Sequence, residues 1–295
     1  MSTSVVAVSL VVSLLVSPHA FAQKSAADGV QGVGKMSSMR GLASEEQLEA
    51  QALQQYTQLK QQSAQSRSLA PADHPQLVRI RTIAQKLIPF SLRWNERASK
   101  WQWEVNLIGS KEINAFCMPG GKIAFYTGIL DTLKLTDDEV ALVMGHEIAH
   151  ALREHGRERA GKQTAAAIGT TVLDMGSQLL GFGSLGRMAG SGISQMSLLA
   201  YGRDDETEAD LIGLDIAARA GFDPRAGVTL WQKMGASSKG APPQWLSTHP
   251  SGKTRIQEIT KHLPEVLPLY AKTKGMVVEQ LQPYQSNWSN LAAVK

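Results

Sequence analysis

Two histidines one helical turn apart, with a glutamate directly after the first, constrain this chain more than any other feature: His146-Glu147-Ile148-Ala149-His150. At about 100° per residue, positions four apart differ by only about 40° around an α-helix, so both imidazoles can reach one ion from one face. Glu147 projects beside them. Stiff ligands need a buried helix, and the flanking residues predict one. Thr136-Asp137-Asp138-Glu139 has capping-box spacing with acids at the helix's positive end, and Val140, Leu142, Val143, Ile148 and Leu152 recur at near-helical intervals. The pattern predicts a zinc (Zn2+) site, one ion per chain. Glu147 is placed to take a proton from metal-activated water, whose pKa falls to about 7, and to return it to a leaving amine.

Downstream, Asp204-Asp205-Glu206-Thr207-Glu208-Ala209-Asp210 offers five carboxylates. Glu206, Asp210 and Leu214 share one row that continues an apolar stripe, whereas Glu208 falls with Asp215 and Arg219 on a charged face that reads as solvated. Glu206 is therefore the expected third ligand. Asp210, directed inward one turn on, is expected to hold the second ring nitrogen of a ligating histidine. His155 lies about 140° round from His150 on a continuous helix and reads as a surface or core histidine. The single cysteine, Cys117, cannot form an internal disulfide and reads as a buried small residue rather than a nucleophile.

Residues 1–22 read as a signal peptide. An apolar run over 5–16 is bounded by Ser17-Pro18, and Ala20-Phe21-Ala22 supplies the small-any-small pattern of a cleavage site near Ala22. At about a dozen residues the run is well below the roughly 20 needed to span a bilayer, and no Lys or Arg precedes it. Together with the cysteine usage this predicts a periplasmic location. The net charge of +4, without a basic block or an aromatic-basic array, argues against nucleic acid as a partner. Peripheral contact with anionic lipid headgroups stays open.

Residues 23–74 read as a flexible lead-in rich in Gly, Ser and Ala followed by a helix over 44–68. A second amphipathic helix is expected over 76–98, then a strand over 103–107, joined by segments near Ala115 and Ile123 into a sheet of about three strands. The fold class predicted for 75–263 is α+β, mostly helical, with the sheet beside the zinc helix. Within it, 161–200 is made largely of Gly, Ala, Ser, Leu and Met, and reads as a hairpin or lid at the cleft, or as plain helical packing. A helix from Glu206 should stop near Gly221, and 225–234 forms another run. The extension 264–295 carries Pro264, Pro268 and Pro283 and shows little periodicity.

From Pro75 to His262 the chain resembles the zinc metallopeptidases that include HtpX, BepA, LoiP and the CAAX prenyl proteases. Asn114-Ala115-Phe116, Pro119-Gly120-Gly121-Lys122-Ile123 and Gly128-Ile129-Leu130 look like the strand and turn before that family's zinc helix. His146 to His150 match its motif, and Glu206-Thr207-Glu208-Ala209-Asp210 is similar to its glutamate, any three, aspartate element. Ser247-Thr248-His249-Pro250-Ser251, with Arg255 after it, resembles the late segment of the periplasmic members. The resemblance implies a zincin-like fold and a gluzincin-type endopeptidase, with His249 near the metal, either filling the open position or steadying the tetrahedral intermediate. Asn114, Ala115 and Phe116 would then pair with an extended substrate. The resemblance further implies periplasmic quality control of misfolded or mislocalised envelope proteins, with unfolded or misassembled substrates and outer-membrane assembly machinery as partners. Two rivals stay open, a non-catalytic, zinc-binding, chaperone-like protein and an uncleaved, membrane-tethered form.

Overall fold

The computed structural model describes residues 28–175, 201–237, 244–249 and 253–295. The expected signal peptide, and the expected lid beyond Met175, lie outside these residues. Three strands, β1 (Glu104–Ile108), β2 (Ala115–Met118) and β3 (Lys122–Tyr126), form one sheet in the order β1-β3-β2. β1 runs parallel and β2 antiparallel to β3, with Ala115 opposite Phe125 and Met118 opposite Lys122. The tight β2–β3 turn needs Gly120 and Gly121 at φ +77° and +75°, and a Cβ on Gly121 would run into the Trp103 ring. β2 is thereby left as an edge strand.

Side chains alternate across this sheet. Phe116 and Met118 face α1 (Glu45–Gln65), whose Ala52 and Tyr56 are fully buried against them, whereas Ala115 and Cys117 face the main core. The Tyr56 hydroxyl donates to the Ile123 carbonyl and accepts from Asn106 at 3.1 Å. α2 (Pro75–Leu87) is shorter than the expected 76–98. Pro89 has no amide hydrogen to continue it, and the chain proceeds through two 3-10 turns, Ile88–Arg93 and Glu96–Lys100.

After α3 (Thr127–Leu133), α4 (Asp137–Leu152) passes through the middle of the molecule, buried from Glu139 to Leu152. Its capping box closes, with Glu139 N–H donating to Thr136 Oγ1 at 3.2 Å and Thr136 N–H to Glu139 Oε2 at 2.9 Å. The other end is held by Asn95, whose amide donates to the Leu152 carbonyl at 2.9 Å. α5 (His155–Met175) follows, then α6 (Arg203–Arg219), α7 (Ala226–Ser237), the short α8 (Gln244–Thr248) and α9 (Lys253–Thr273). α9 runs through Pro264 and Pro268, where little periodicity was expected. Burial of Ile259, Leu263, Val266 and Leu267 on one face outweighs the two lost backbone hydrogen bonds.

α4 and α6 touch backbone to backbone. A Cβ on Gly213 would stand 2.9 Å from the His146 amide nitrogen, and one on Gly145 would stand 3.0 Å from the Gly213 carbonyl. This approach brings the acids of α6 within reach of the histidines of α4. The charged face of α6 expected to be solvated is covered instead. Asp215 is fully buried, held by Arg219 at 2.8 Å and by the Val30 amide at 3.2 Å. Glu208 pairs with Arg153 at 2.7 Å. Residues 28–42 do the covering, a contact almost two hundred positions away in sequence that helical periodicity cannot register. Among the described residues no helix is long and apolar enough to cross a membrane.

Candidate metal centre

His146 and His150 of α4, Glu206 of α6 and His249 just after α8 converge, each offering one ligand atom, all within 4.8 Å of one another and all buried. His146 Nε2 lies 3.1 Å from His150 Nε2 and 3.3 Å from His249 Nδ1. Glu206 oxygens lie 3.6 Å from His146 Nε2, 3.5 Å from His150 Nε2 and 2.9 Å from His249 Nδ1. Donors 2.0–2.1 Å from a tetrahedral ion are separated by roughly 3.3–3.4 Å, a value that these five separations of 2.9–3.6 Å bracket. Charge agrees. With the imidazoles neutral, Glu147, Glu206 and Asp210 contribute three negative charges against the one positive charge of Arg255, a deficit that a divalent cation cancels.

The surrounding groups hold each donor ready. Asp210 Oδ1 lies 3.1 Å from His146 Nδ1, leaving Nε2 to face the centre. Arg255 forks onto Asp210 at 2.5 and 2.7 Å, reaches Glu206 with its third nitrogen, and stacks 3.7 Å over Trp231. Burial opposes ionisation of Asp210, but Arg255 and His146 outweigh it and hold its pKa near 2. Burial likewise opposes the charge on Glu206, and His249, His146 and Arg255 together still bring its pKa below the usual range. For His150, burial and then the neighbouring histidines push the pKa well down, which keeps the ring neutral as a ligand must be. Burial, followed by the nearby Glu147 charge, pushes the Cys117 thiol well up, the opposite of a nucleophile's requirement.

Glu147 opens onto a cleft lined by Asn114 to Pro119, Ala151, Tyr201 and His249, with Leu48 and Glu49 of α1 on the far wall. Of the expected substrate strand, Ala115 and Phe116 lie in β2, and Asn114 immediately precedes it, accepting from Ala115 N–H at 2.9 Å. The roles of three residues were missed by sequence reasoning. The Trp245 indole donates to Glu147 Oε1 at 2.6 Å. Arg255 was noticed only as part of a motif. His155 lies 2.8 Å from His150 because α4 does not continue: Glu154 adopts φ +56° and α5 starts afresh. A tryptophan four residues before a histidine carries no signal by itself.

A helix pair that joins HExxH histidines to a later glutamate defines a gluzincin-type metal centre. The chain belongs to peptidase family M48, whose model matches residues 74–263. It is 34% identical over 233 residues to the mitochondrial metalloendopeptidase OMA1 of Schizosaccharomyces pombe, covering 77% of this chain and 62% of that one. It is 37% identical over 175 residues to OMA1 of Arabidopsis thaliana, covering 59% and 34%. The β-barrel assembly-enhancing protease of Escherichia coli (strain K12) is 31% identical over 179 residues, covering 57% and 36%. The chain thus spans between about a third and three fifths of the length of these relatives.

These matches overturn the periplasmic location. Relatives from yeasts, plants and vertebrates at 29–37% identity are mitochondrial proteins. The sequence reading had given weight to an apolar run that lacks the positive segment a secretory signal carries before it.

Proposed function

We propose that this chain is a zinc-dependent endopeptidase in which His146, His150 and Glu206 hold the metal and Glu147 is the general base and acid. The observation that carries this reading is the set of four buried donor atoms within 4.8 Å of one another, with Glu147 beside them and outside the set. When bound, zinc supplies Lewis acidity that polarises a peptide carbonyl and makes water a nucleophile at neutral pH.

The rest is done by this chain's own side chains. The edge of β2 that is not paired with β3 aligns an extended substrate by main-chain hydrogen bonds, a mode tolerant of sequence that suits unfolded segments. Glu147 receives the water's proton and delivers it to the leaving nitrogen, with the Trp245 N–H fixing one of its oxygens. Asp210 and Arg255 keep His146 and Glu206 from turning away. His249 sits between the two carboxylates, Nδ1 2.9 Å from Glu206 and Nε2 3.5 Å from Glu147, and with its Nδ1 deprotonated it would supply a fourth donor to a bound ion. Its ring would then have to swing out for a substrate carbonyl to approach.

The test is digestion of casein by the purified chain, abolished by a chelator and restored by zinc. Glu147→Gln is expected to keep zinc and lose activity by about 10²–10⁴-fold, because an amide cannot accept the proton. Undiminished cleavage by that variant in a protease-free preparation refutes the mechanism. Zinc binding without any cleavage favours the chaperone-like alternative.

A further inference from the structure

We propose that His155 is a positioning residue for His150, holding its ring through a relay that runs on through Glu208 and Arg153 to the backbone at Gly34. This rests on the zinc reading above. His150 Nε2 points into the donor cluster, so its lone pair faces the ion and the ring proton is on Nδ1. That nitrogen is 2.8 Å from Nδ1 of His155, which must therefore accept. The proton of His155 is then on Nε2, which donates to Glu208 Oε2 at 2.9 Å. Glu208 can only accept, and Arg153, which can only donate, forks onto its two oxygens at 2.8 and 2.7 Å. A further Arg153 N–H donates to the Gly34 carbonyl at 2.7 Å.

Every link has one allowed direction. Reversing any of them sets two protons or two lone pairs against each other beside a His155 ring that is only 3% exposed. Tyr201 stacks on the His150 ring with centroids 3.8 Å apart, which fixes the plane of the ring but not its tautomer. The relay supplies what the stack cannot. It also ties a metal ligand to residues 28–42, which lie outside the segment matched by the family model.

The experiment measures zinc affinity by chelator competition in the full chain, for the wild type, His155→Ala and His155→Asn. His155→Ala is expected to bind zinc about 10–100-fold more weakly. His155→Asn should recover most of that loss, because its Oδ1 can accept from His150 near the position of the lost nitrogen. In the zinc-loaded wild type, nitrogen-15 NMR should show the proton on His150 Nδ1 and a coupling across the hydrogen bond to His155 Nδ1. His155→Ala binding zinc as tightly as wild type, His155→Asn as weak as alanine, or absence of that coupling would each overturn the proposal. The NMR result decides even if His155→Ala does not fold. A wild type that binds no zinc instead overturns the metal reading beneath it, an outcome separable from a variant that matches a zinc-binding wild type.

Discussion

Replacing Lys233 by alanine tests how the zinc helix is anchored. Lys233 and Glu139 are both fully buried, and their charged atoms lie 2.6 Å apart. Lys233 Nζ also donates to Asn287 Oδ1 at 2.5 Å, and Glu139 accepts from Thr229 Oγ1 at 2.8 Å as well as from the Thr136 amide. Removing the cation leaves a carboxylate in the interior without a countercharge, a loss of about 3–5 kcal/mol. At about 2–4 °C per kcal/mol for a domain of this size, the melting temperature should fall by about 6–20 °C. Unfolding would be followed by circular dichroism with chelator present, so that metal binding does not mask the change. The paired substitution Glu139→Gln with Lys233→Met should be more stable than Lys233→Ala, since no charge is then stranded. A shift under about 2 °C for Lys233→Ala, or a double variant no better than the single one, would refute the reasoning.

Gly213→Ala forces the α4–α6 contact apart at His146, and it should cost about 1–3 kcal/mol in a urea titration while weakening zinc binding. Retention of both properties would sink the close-approach argument. Glu45 is raised from 4.5 to about 7 by burial and by the Glu154 carboxyl beside it, so the folded chain keeps that proton where the unfolded chain releases it. Its contribution to stability is therefore full below pH 4.5 and declines as pH rises through 7, and Glu45→Gln should flatten the wild type's loss of urea midpoint across that window. Equal slopes for the two proteins would contradict the assignment. His249→Ala removes one of the four clustered donors and should raise peptide turnover, whereas slower turnover would show the ring assisting the reaction rather than blocking it.

Local chemistry in the chain was enough for the helix that carries His146, Glu147 and His150, because a capping box, an apolar stripe and a four-residue spacing are all short-range properties. The same holds for Glu206 and Asp210, which share one row of α6, and for the three strands with their Gly120-Gly121 turn. Destination was misread, because weight was placed on an apolar run over 5–16 that lacks the positive segment a secretory signal carries before it.

Tertiary structure alone decided what surrounds those residues. Nothing in Arg153-Glu154-His155-Gly156 announces that the helix stops before His155. The break is held by Arg40, more than a hundred positions earlier, on Glu154 at 2.9 Å, and by Asn95 on the Leu152 carbonyl. Burial of Asp215, the Trp245 bond to Glu147 and the fork of Arg255 likewise join residues far apart in sequence. Helical periodicity reports which side chains share a face, but which face is covered, and by what, depends on contacts that exist only once the chain has closed on itself.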